Sequence, residues 1–226
     1  MIQRKASRVG STVRRVVLVD DHPIVRHGFA DLINEEPDLD VIAEVATGEE
    51  AMRVIAEHRP ELAVIDISLE GMDGLELIKH LKAQYPKLMV LVVSIYDESL
   101  YAERALRAGA MGYLNKQTAI DQIVPAIRRV LSGKVYLSPR VADRLLQQVV
   151  EGVDELEQSP VQRLSDRELE VYRLIGQGLT TRQIATQLHL SMKTIETYRE
   201  HIKTKMNFKN SNEMVRHAVQ WVLEQA

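Results

Sequence analysis

Cysteine is absent from all 226 residues. That excludes a disulfide framework, a thiolate zinc site and a cysteine nucleophile, and it suits a reducing compartment. No apolar run approaches the roughly 20 residues of a spanning helix. The basic N-terminal stretch MIQRKASRVGSTVRR lacks the apolar segment of a secretory signal. Internal repeats and low-complexity tracts are missing too. These absences lead us to expect a soluble, cytoplasmic protein with no membrane partner. What is present is ample core material, since 45% of residues are hydrophobic and 27% charged. The length suits two domains of roughly 100–150 residues or fewer.

The formal net charge of −3 hides an uneven distribution. Residues 1–15 hold five basic side chains and no acidic one, and read as a disordered basic leader. Residues 16–138 hold 12 basic against 20 acidic residues, and residues 163–226 hold ten against seven. An acidic body with a mildly basic C-terminal piece permits nucleic-acid contact at that end, although so small an excess is also ordinary for a solvated surface.

Residues 16–134 alternate between two patterns. Val16–Val19, Val41–Val45, Leu62–Asp66, Leu88–Ser94 and Met111–Leu114 are short apolar runs. Runs apolar on both faces fit parallel strands. Between them lie helical stretches. Pro23 suits a first turn, with Asp21 or His22 near the cap, and the helix runs through Ile24, Val25, Phe29, Leu32 and Ile33. Further helices cover 48–58, the stretch to about Tyr85 that follows a loop punctuated by Gly71 and Gly74, 98–108 with Gly109 as a stop, and 119–131. Strand and helix alternating at this spacing mean βαβ units, with a site at the carboxyl ends of the strands. Asp20, Asp21, Asp66, Ser94 and Lys116 fall at those ends.

Past Ser138 only helical patterns remain. One helix starts at Ser138-Pro139, and an acidic linker runs from Glu151 to Pro160. Ser165 and Glu168 then stand in capping-box spacing. Helices of about Thr181–Leu188, Ser191–Met206 and Ser211–Glu224 complete a small bundle. Around Ile195, at 100° per residue, Ser191, Tyr198, Ile202 and Met206 fall within about 60°. Lys193, Thr197, Glu200 and Thr204 lie opposite. A short helix, a turn at His189-Leu190 and an amphipathic helix make a helix-turn-helix, whose second helix enters the major groove. On that face Glu196 or Glu200 can accept from cytosine, Thr197 can touch a thymine methyl, and Lys193 can reach guanine or phosphate. Arg182, Arg199, Lys203, Lys205 and Lys209 suit phosphates. A solvated face of alternating charge is the bland alternative.

Three aspartates at adjacent strand ends would raise one another's pKa unless a cation sat among them. A hard divalent ion such as Mg²⁺ takes oxygen ligands, and no His/Cys cluster competes for zinc. An aspartate beside Mg²⁺ and lysine suits phosphoryl transfer. Singly, each residue has an ordinary explanation as a cap, a strand end or a solvated lysine. An aspartate pair, an aspartate, a serine and a lysine at four strand ends in this order do not. A phosphatase would need a second carboxylate on the same loop as its nucleophile and a substrate cap, and neither is evident, so we do not expect an enzyme. A receiver used only for docking is the other rival.

Asp20-Asp21, Asp66 in LAVIDISLEGMDG, Ser94 in LVVSIYDE and GYLNK at 112–116 together resemble a response-regulator receiver domain over residues 16–134. The resemblance implies a flavodoxin/CheY-like, doubly wound α/β sheet of five parallel strands in the order 2-1-3-4-5. It implies that Asp66 accepts a phosphoryl group from a sensor histidine kinase. Asp21, Asp66 and the Ser68 carbonyl would hold Mg²⁺, with Asp20 acting mainly through water. Lys116 would pair with the phosphoryl group, Ser94 would move toward it, and Tyr113 would change rotamer. Gln117 stands where many members have proline.

LSDRELEV (164–171), GQGLT (176–180), Gln183-Ile184-Ala185 and SMKTIETY (191–198) resemble the NarL/FixJ, LuxR-type helix-turn-helix domain over residues 163–226. Residues 135–162 are then a linker containing a helix. The family implies a recognition helix over 192–206, with Lys193, Thr194, Glu196, Thr197, Arg199, Glu200 and Lys203 as candidate DNA contacts. Arg167 and Glu168 would be structural. A dimer contact is implied on the last helix, where Val215, Val219 and Val222 could equally be core. The reading is a phosphorylation-controlled transcription regulator, homodimeric on a pseudo-palindromic operator. RNA polymerase is a further partner such a regulator implies. In this reading the unmodified receiver covers the recognition helix, and phosphorylation frees it.

Overall fold

The computed structural model describes residues 13–69, 71–151 and 159–224. By its contacts the chain separates into two compact units. One comprises Met1–Ile95 with Ala105–Ser138, the other Tyr96–Arg104 with Pro139–Ala226.

The first unit is built on strands β1 (Arg14–Val19), β2 (Leu39–Val45), β3 (Leu62–Ile65), β4 (Met89–Ser94) and β5 (Gly112–Asn115). They form one parallel sheet in the order β2-β1-β3-β4-β5. Along the chain, helices α1 (Pro23–Asn34), α2 (Gly48–His58), α3 (Gly74–Gln84), α4 (Glu98–Ala108, its residues to Arg104 grouped with the second unit) and α5 (Ala119–Leu131) alternate with the strands. Val16, Leu18, Leu62, Val64, Leu91 and Val93 pack with Phe29 and Ile33 of α1 and with Ile123, Ile127 and Val130 of α5. The alternate residues Val17, Val19, Ala63, Ile65, Val90 and Val92 are equally buried and, by the two-residue period, face the other side. The central strands therefore have no solvent face, which is why they read as unbroken apolar runs.

The caps explain where the helices begin. Thr47 accepts from Glu50 N–H at the start of α2, and Asp73 accepts from Leu75 N–H at the start of α3. Pro23 opens α1 with its φ already helical. His22 holds the cap position but makes no side-chain capping bond. Gly109, at φ 108°, ends α4.

Some differences from expectation are physical. Arg14 and Arg15 belong to β1 and not to a leader. Arg14 N–H donates to the Asp38 carbonyl, and the Arg15 guanidinium donates to the carbonyls of His58 and Arg59, so backbone pairing carries the strand past its apolar run. Residues 1–12 of the expected leader lie outside the described residues. Ile24, among the apolar residues of α1, is 88% exposed. Residues 132–137 carry no pattern in the sequence, yet Tyr136 forms a parallel bridge with Gly112.

The second unit contains α6 (Pro139–Glu151), α7 (Asp166–Gly176), α8 (Thr181–Gln187), α9 (Met192–Lys205) and α10 (Ser211–Glu224). Most of the expected acidic linker, residues 152–158, lies outside the described residues. Ser165 caps α7 in a reciprocal box with Glu168, and Thr180 and Gln183 do the same for α8. Leu169, Tyr172 and Ile175 of α7, Ile184 of α8, Ile195 and Ile202 of α9, and Met214 and Ala218 of α10 form the buried interior. At Gly176 the backbone of α10 passes so close that a Cβ would lie 2.4 Å from the Ala218 carbonyl oxygen. Val219 is exposed, while Val215 and Val222 are half-buried.

Candidate functional site

Register brings the chemistry together. β1 lies beside β3 with Val19 opposite Ile65, so Asp20 and Asp66 leave neighbouring strands at the same level. β4 and β5 pair with Ser94 opposite Asn115, which sets Lys116 one residue beyond. The Lys116 ammonium lies 2.7 Å from Asp66 Oδ2 and 2.7 Å from Asp20 Oδ2. Asp20, Asp66 and Ser94 are buried, and Asp21 is half-buried. Ligand atoms of Asp20, Asp21, His22 and Asp66 all lie within 4.8 Å of one another. Gly74 has to be glycine for the loop to close, because a Cβ there would sit 2.2 Å from the Asp66 carbonyl oxygen.

The electrostatics are those of excess acid around one cation. Burial raises the Asp21 carboxyl above the ordinary carboxylate range; His22 opposes this, while the Asp66 and Asp20 charges push it further up. Burial alone would lower the Lys116 ammonium, but Asp66 and Asp20 outweigh it and hold the pKa above the ordinary lysine value. An oxygen-rich donor set with one flanking imidazole, among acids that a single lysine does not neutralise, fits a hard divalent cation.

Ser68 and Asp20, both expected here, make contacts beyond those expected, and His22 and Arg26 are neighbours that sequence reasoning missed. Ser68 was singled out for its carbonyl, yet its hydroxyl donates to Asp66 Oδ2 at 2.7 Å and its N–H to Oδ1 at 3.3 Å. Asp20 is in addition salt-bridged to Lys116. The Arg26 guanidinium donates to the Asp20 carbonyl, and His22 lies 2.6 Å from Asp21 Oδ1. Adjacency to Asp21 was the only available signal for His22; nothing in the spacing marks Arg26. Tyr113 is packed inward on β5, almost fully buried.

The candidate DNA face stands on α9. Its N-cap is Ser191, which accepts from Thr194 N–H. Ile195, Ile202 and Met206 are buried. Lys193, Glu196, Thr197 and Glu200 are exposed, and Thr194, Arg199 and Lys203 are half-buried. Lys203 pairs with Glu200 at 2.8 Å, and the Thr197 hydroxyl donates to the Lys193 carbonyl. The turn before α9 has His189 at φ 52°, with Leu190 N–H donating to the Ala185 carbonyl. Glu168 anchors the far end: it accepts from Ser165 N–H and lies 2.6 Å from Lys205 Nζ.

Comparisons with known proteins agree with this geometry. Residues 16–128 match the response regulator receiver domain, and residues 162–218 match the bacterial regulatory proteins of the luxR family. The oxygen regulatory protein NreC of Staphylococcus epidermidis is 34% identical over 210 residues, covering 91% of this chain and 96% of that protein. NreC of Staphylococcus carnosus is 33% identical over 209 residues, with the same coverage of each chain. Among solved structures, a LuxR-family two-component response regulator from Aurantimonas is 36% identical with a TM-score of 0.57, over 61% of this chain and 99% of that one. RcsB of Salmonella typhimurium is 23% identical with a TM-score of 0.71, over 92% of this chain and 98% of that one, and so speaks to the fold. The chain therefore belongs to the two-component response regulators that join a receiver domain to a LuxR-type DNA-binding domain, and it is a phosphorylation-dependent, DNA-binding transcription regulator.

Proposed function

We propose that Asp66 is the phosphoacceptor, that Asp20, Asp21 and Asp66 with the Ser68 carbonyl hold Mg²⁺, and that α9 reads operator DNA. The observation that carries this is the Lys116 ammonium set between Asp66 and Asp20, 2.7 Å from each, beside Asp21. Asp66 Oδ supplies the nucleophile, and the phosphoryl group comes from a phosphohistidine of a sensor kinase. Lys116 is placed to neutralise charge on the phosphoryl oxygens. A bound Mg²⁺ would supply further positive charge at the same place. Ser94, at the end of β4, and Tyr113, on β5, lie on the path by which β4 and β5 answer the new charge.

The chain itself turns over no substrate in this reading: the phosphoryl group is a signal. The receiver, its first strand beginning at Arg14, and the DNA-binding domain at 163–226 serve it, joined by a linker that contains α6. The protein acts in the cytoplasm, consistent with the lack of any helix among the described residues long and apolar enough to cross a membrane. A homodimer reads two half-sites, through Lys193, Thr194, Glu196, Thr197 and Glu200 at bases and Arg199 and Lys203 at phosphates. RcsB of Salmonella, 24% identical, is known bound to promoter DNA in the presence of phosphomimetic beryllofluoride, which is in keeping with this reading.

The test treats wild type and Asp66→Asn with a small phosphodonor and Mg²⁺. Phosphate-affinity electrophoresis should show a shifted band for wild type only. A DNA duplex selected from a random pool by the treated wild type should bind it more tightly after treatment, and Asp66→Asn should show no change. A shifted band in Asp66→Asn would overturn the assignment.

A further inference from the structure

Beyond Leu131 the chain does not simply leave the receiver. Gly133 N–H donates to the Val130 carbonyl, and the Arg129 guanidinium donates to the Val135 carbonyl at 2.8 Å. Tyr136 then lies along the outer edge of β5. Its N–H donates to the Met111 carbonyl at 3.0 Å, and its carbonyl accepts from Tyr113 N–H at 2.9 Å. Those two bonds flank Gly112, the bridge partner. Its phenol donates to Gln122 Oε1 on α5 at 3.0 Å, and the ring packs on the core. Gly112 allows the approach, since a Cβ there would meet the Tyr136 carbonyl oxygen at 2.9 Å and the Tyr136 Cβ at 3.0 Å. Tyr136 thus acts as a one-residue sixth strand. Three residues later Pro139 begins α6, the first helix of the second unit.

This places β5 between two partners. On one edge is β4, with Ser94 opposite Asn115 and Val92 opposite Tyr113. On the other is Tyr136, bonded to the backbone of Tyr113 itself. Ladder bonds are short and directional, and neighbouring strands cannot slide independently without breaking them. From Tyr136 to Pro139 the chain can span only about 10 Å, too short to take up a displacement as slack.

We infer that the Gly112–Tyr136 bridge carries the state of the acidic site to the DNA-binding unit, by passing a shift of β5 through backbone bonds to the first turn of α6. This rests on the reading of Asp66 as phosphoacceptor. The ordinary alternative is a static cover for a sheet edge.

The full chain tests it. The Asp66 site is loaded with beryllofluoride and Mg²⁺, and exchange of the Tyr113 and Tyr136 amides is followed. Both should change together, about tenfold. In parallel, Tyr136→Pro removes the donor to Met111, and a Gly-Gly insertion between Ser138 and Pro139 leaves bridge and site intact while lengthening the lead. Phosphorylation should tighten wild-type binding to the selected duplex about tenfold, within the usual range of coupling between sites. Both variants should be phosphorylated as wild type is, yet gain less than about twofold. If Tyr136→Pro fails to fold, the insertion variant decides alone. A full gain in the insertion variant, or unchanged exchange at both amides, overturns the inference while leaving Asp66 as phosphoacceptor. Absence of phosphorylation at Asp66 in wild type overturns that assignment and the inference with it.

Discussion

Asp21 is the residue whose environment is least comfortable, and that discomfort is informative. Its folded pKa stands above the ordinary carboxylate value of 3.8, first because of burial and then because Asp66 and Asp20 repel its charge. A raised acid favours the protonated form on folding. Its contribution to stability is therefore fully present below pH 3.8 and is lost as pH rises through the folded pKa. At neutral pH without Mg²⁺ the charge is a net cost. Asp21→Asn should accordingly raise the thermal midpoint of the metal-free chain at pH 7, with the gain disappearing below pH 3.8. The same change should weaken Mg²⁺ stabilisation measured by the same melt. A lower midpoint at pH 7 would show that Asp21 is held by contacts other than those described. Ser68 yields a second expectation. Its hydroxyl occupies Asp66 Oδ2, so Ser68→Ala frees a lone pair on the acceptor and should change the rate of labelling by a phosphodonor severalfold with no loss of fold. The acidic set and its lysine were legible in the sequence because each stands at the end of an apolar run. The Ser68 hydroxyl and the Arg26 bond were not, since they depend on how a loop folds back.

At the scale of elements, α9 is positioned from both ends. Ser191 caps its start. At the other end Lys205 reaches Glu168, whose pKa is lowered: burial would raise it, but the bonds from Lys205 and Ser165 outweigh burial. The sign is opposite to that of Asp21. The Glu168 contribution is present above the ordinary value of 4.5 and is lost as pH falls through the folded pKa. Glu168→Gln should destabilise the C-terminal unit by about 1–3 kcal/mol at pH 7, the range for a buried hydrogen-bonding group losing its partners, and the difference should shrink in acid. Gly176→Ala tests the α7–α10 crossing. The added methyl would press on the Ala218 carbonyl and on Val222, and overpacking of this kind costs about 1–3 kcal/mol. Urea denaturation monitored at Trp221 reads both variants, because its ring lies tilted against Tyr172 in this unit, 5.6 Å between centroids. Most element limits were readable, since Pro23, Gly109 and the Ser165–Glu168 capping box punctuate the helices chemically. Tyr136 was not, because a single bridging residue has no periodicity to detect, and the start of β1 was missed because arginines extended a strand defined by its valines.

At the scale of the whole molecule, charge separates the two tasks. The receiver sequence carries 20 acidic against 12 basic residues between 16 and 138, and the C-terminal piece seven against ten between 163 and 226. An acidic body repels a phosphate backbone, so the DNA contacts must be concentrated on a small basic surface. Long-range attraction should therefore be modest, and binding should depend on a few close phosphate contacts released as counterions. Lys203 and Arg199 sit beside the exposed face of α9, while Glu196 and Thr197 lie on it. If the first pair contacts phosphates and the second bases, their removal has different signatures. Lys203→Ala should weaken binding to cognate and unrelated duplexes alike, and lower the slope of log affinity against log salt by about one. Glu196→Ala should leave that slope unchanged and relax preference at one base pair, at a cost of about 1–3 kcal/mol for the cognate duplex. Fluorescence anisotropy of the phosphorylated full chain, over several salt concentrations and single-base variants of the selected duplex, separates the two. Equal slopes for Lys203→Ala and wild type would remove Lys203 from the phosphate contacts, and an unchanged base preference in Glu196→Ala would leave that side chain solvated on the helix face.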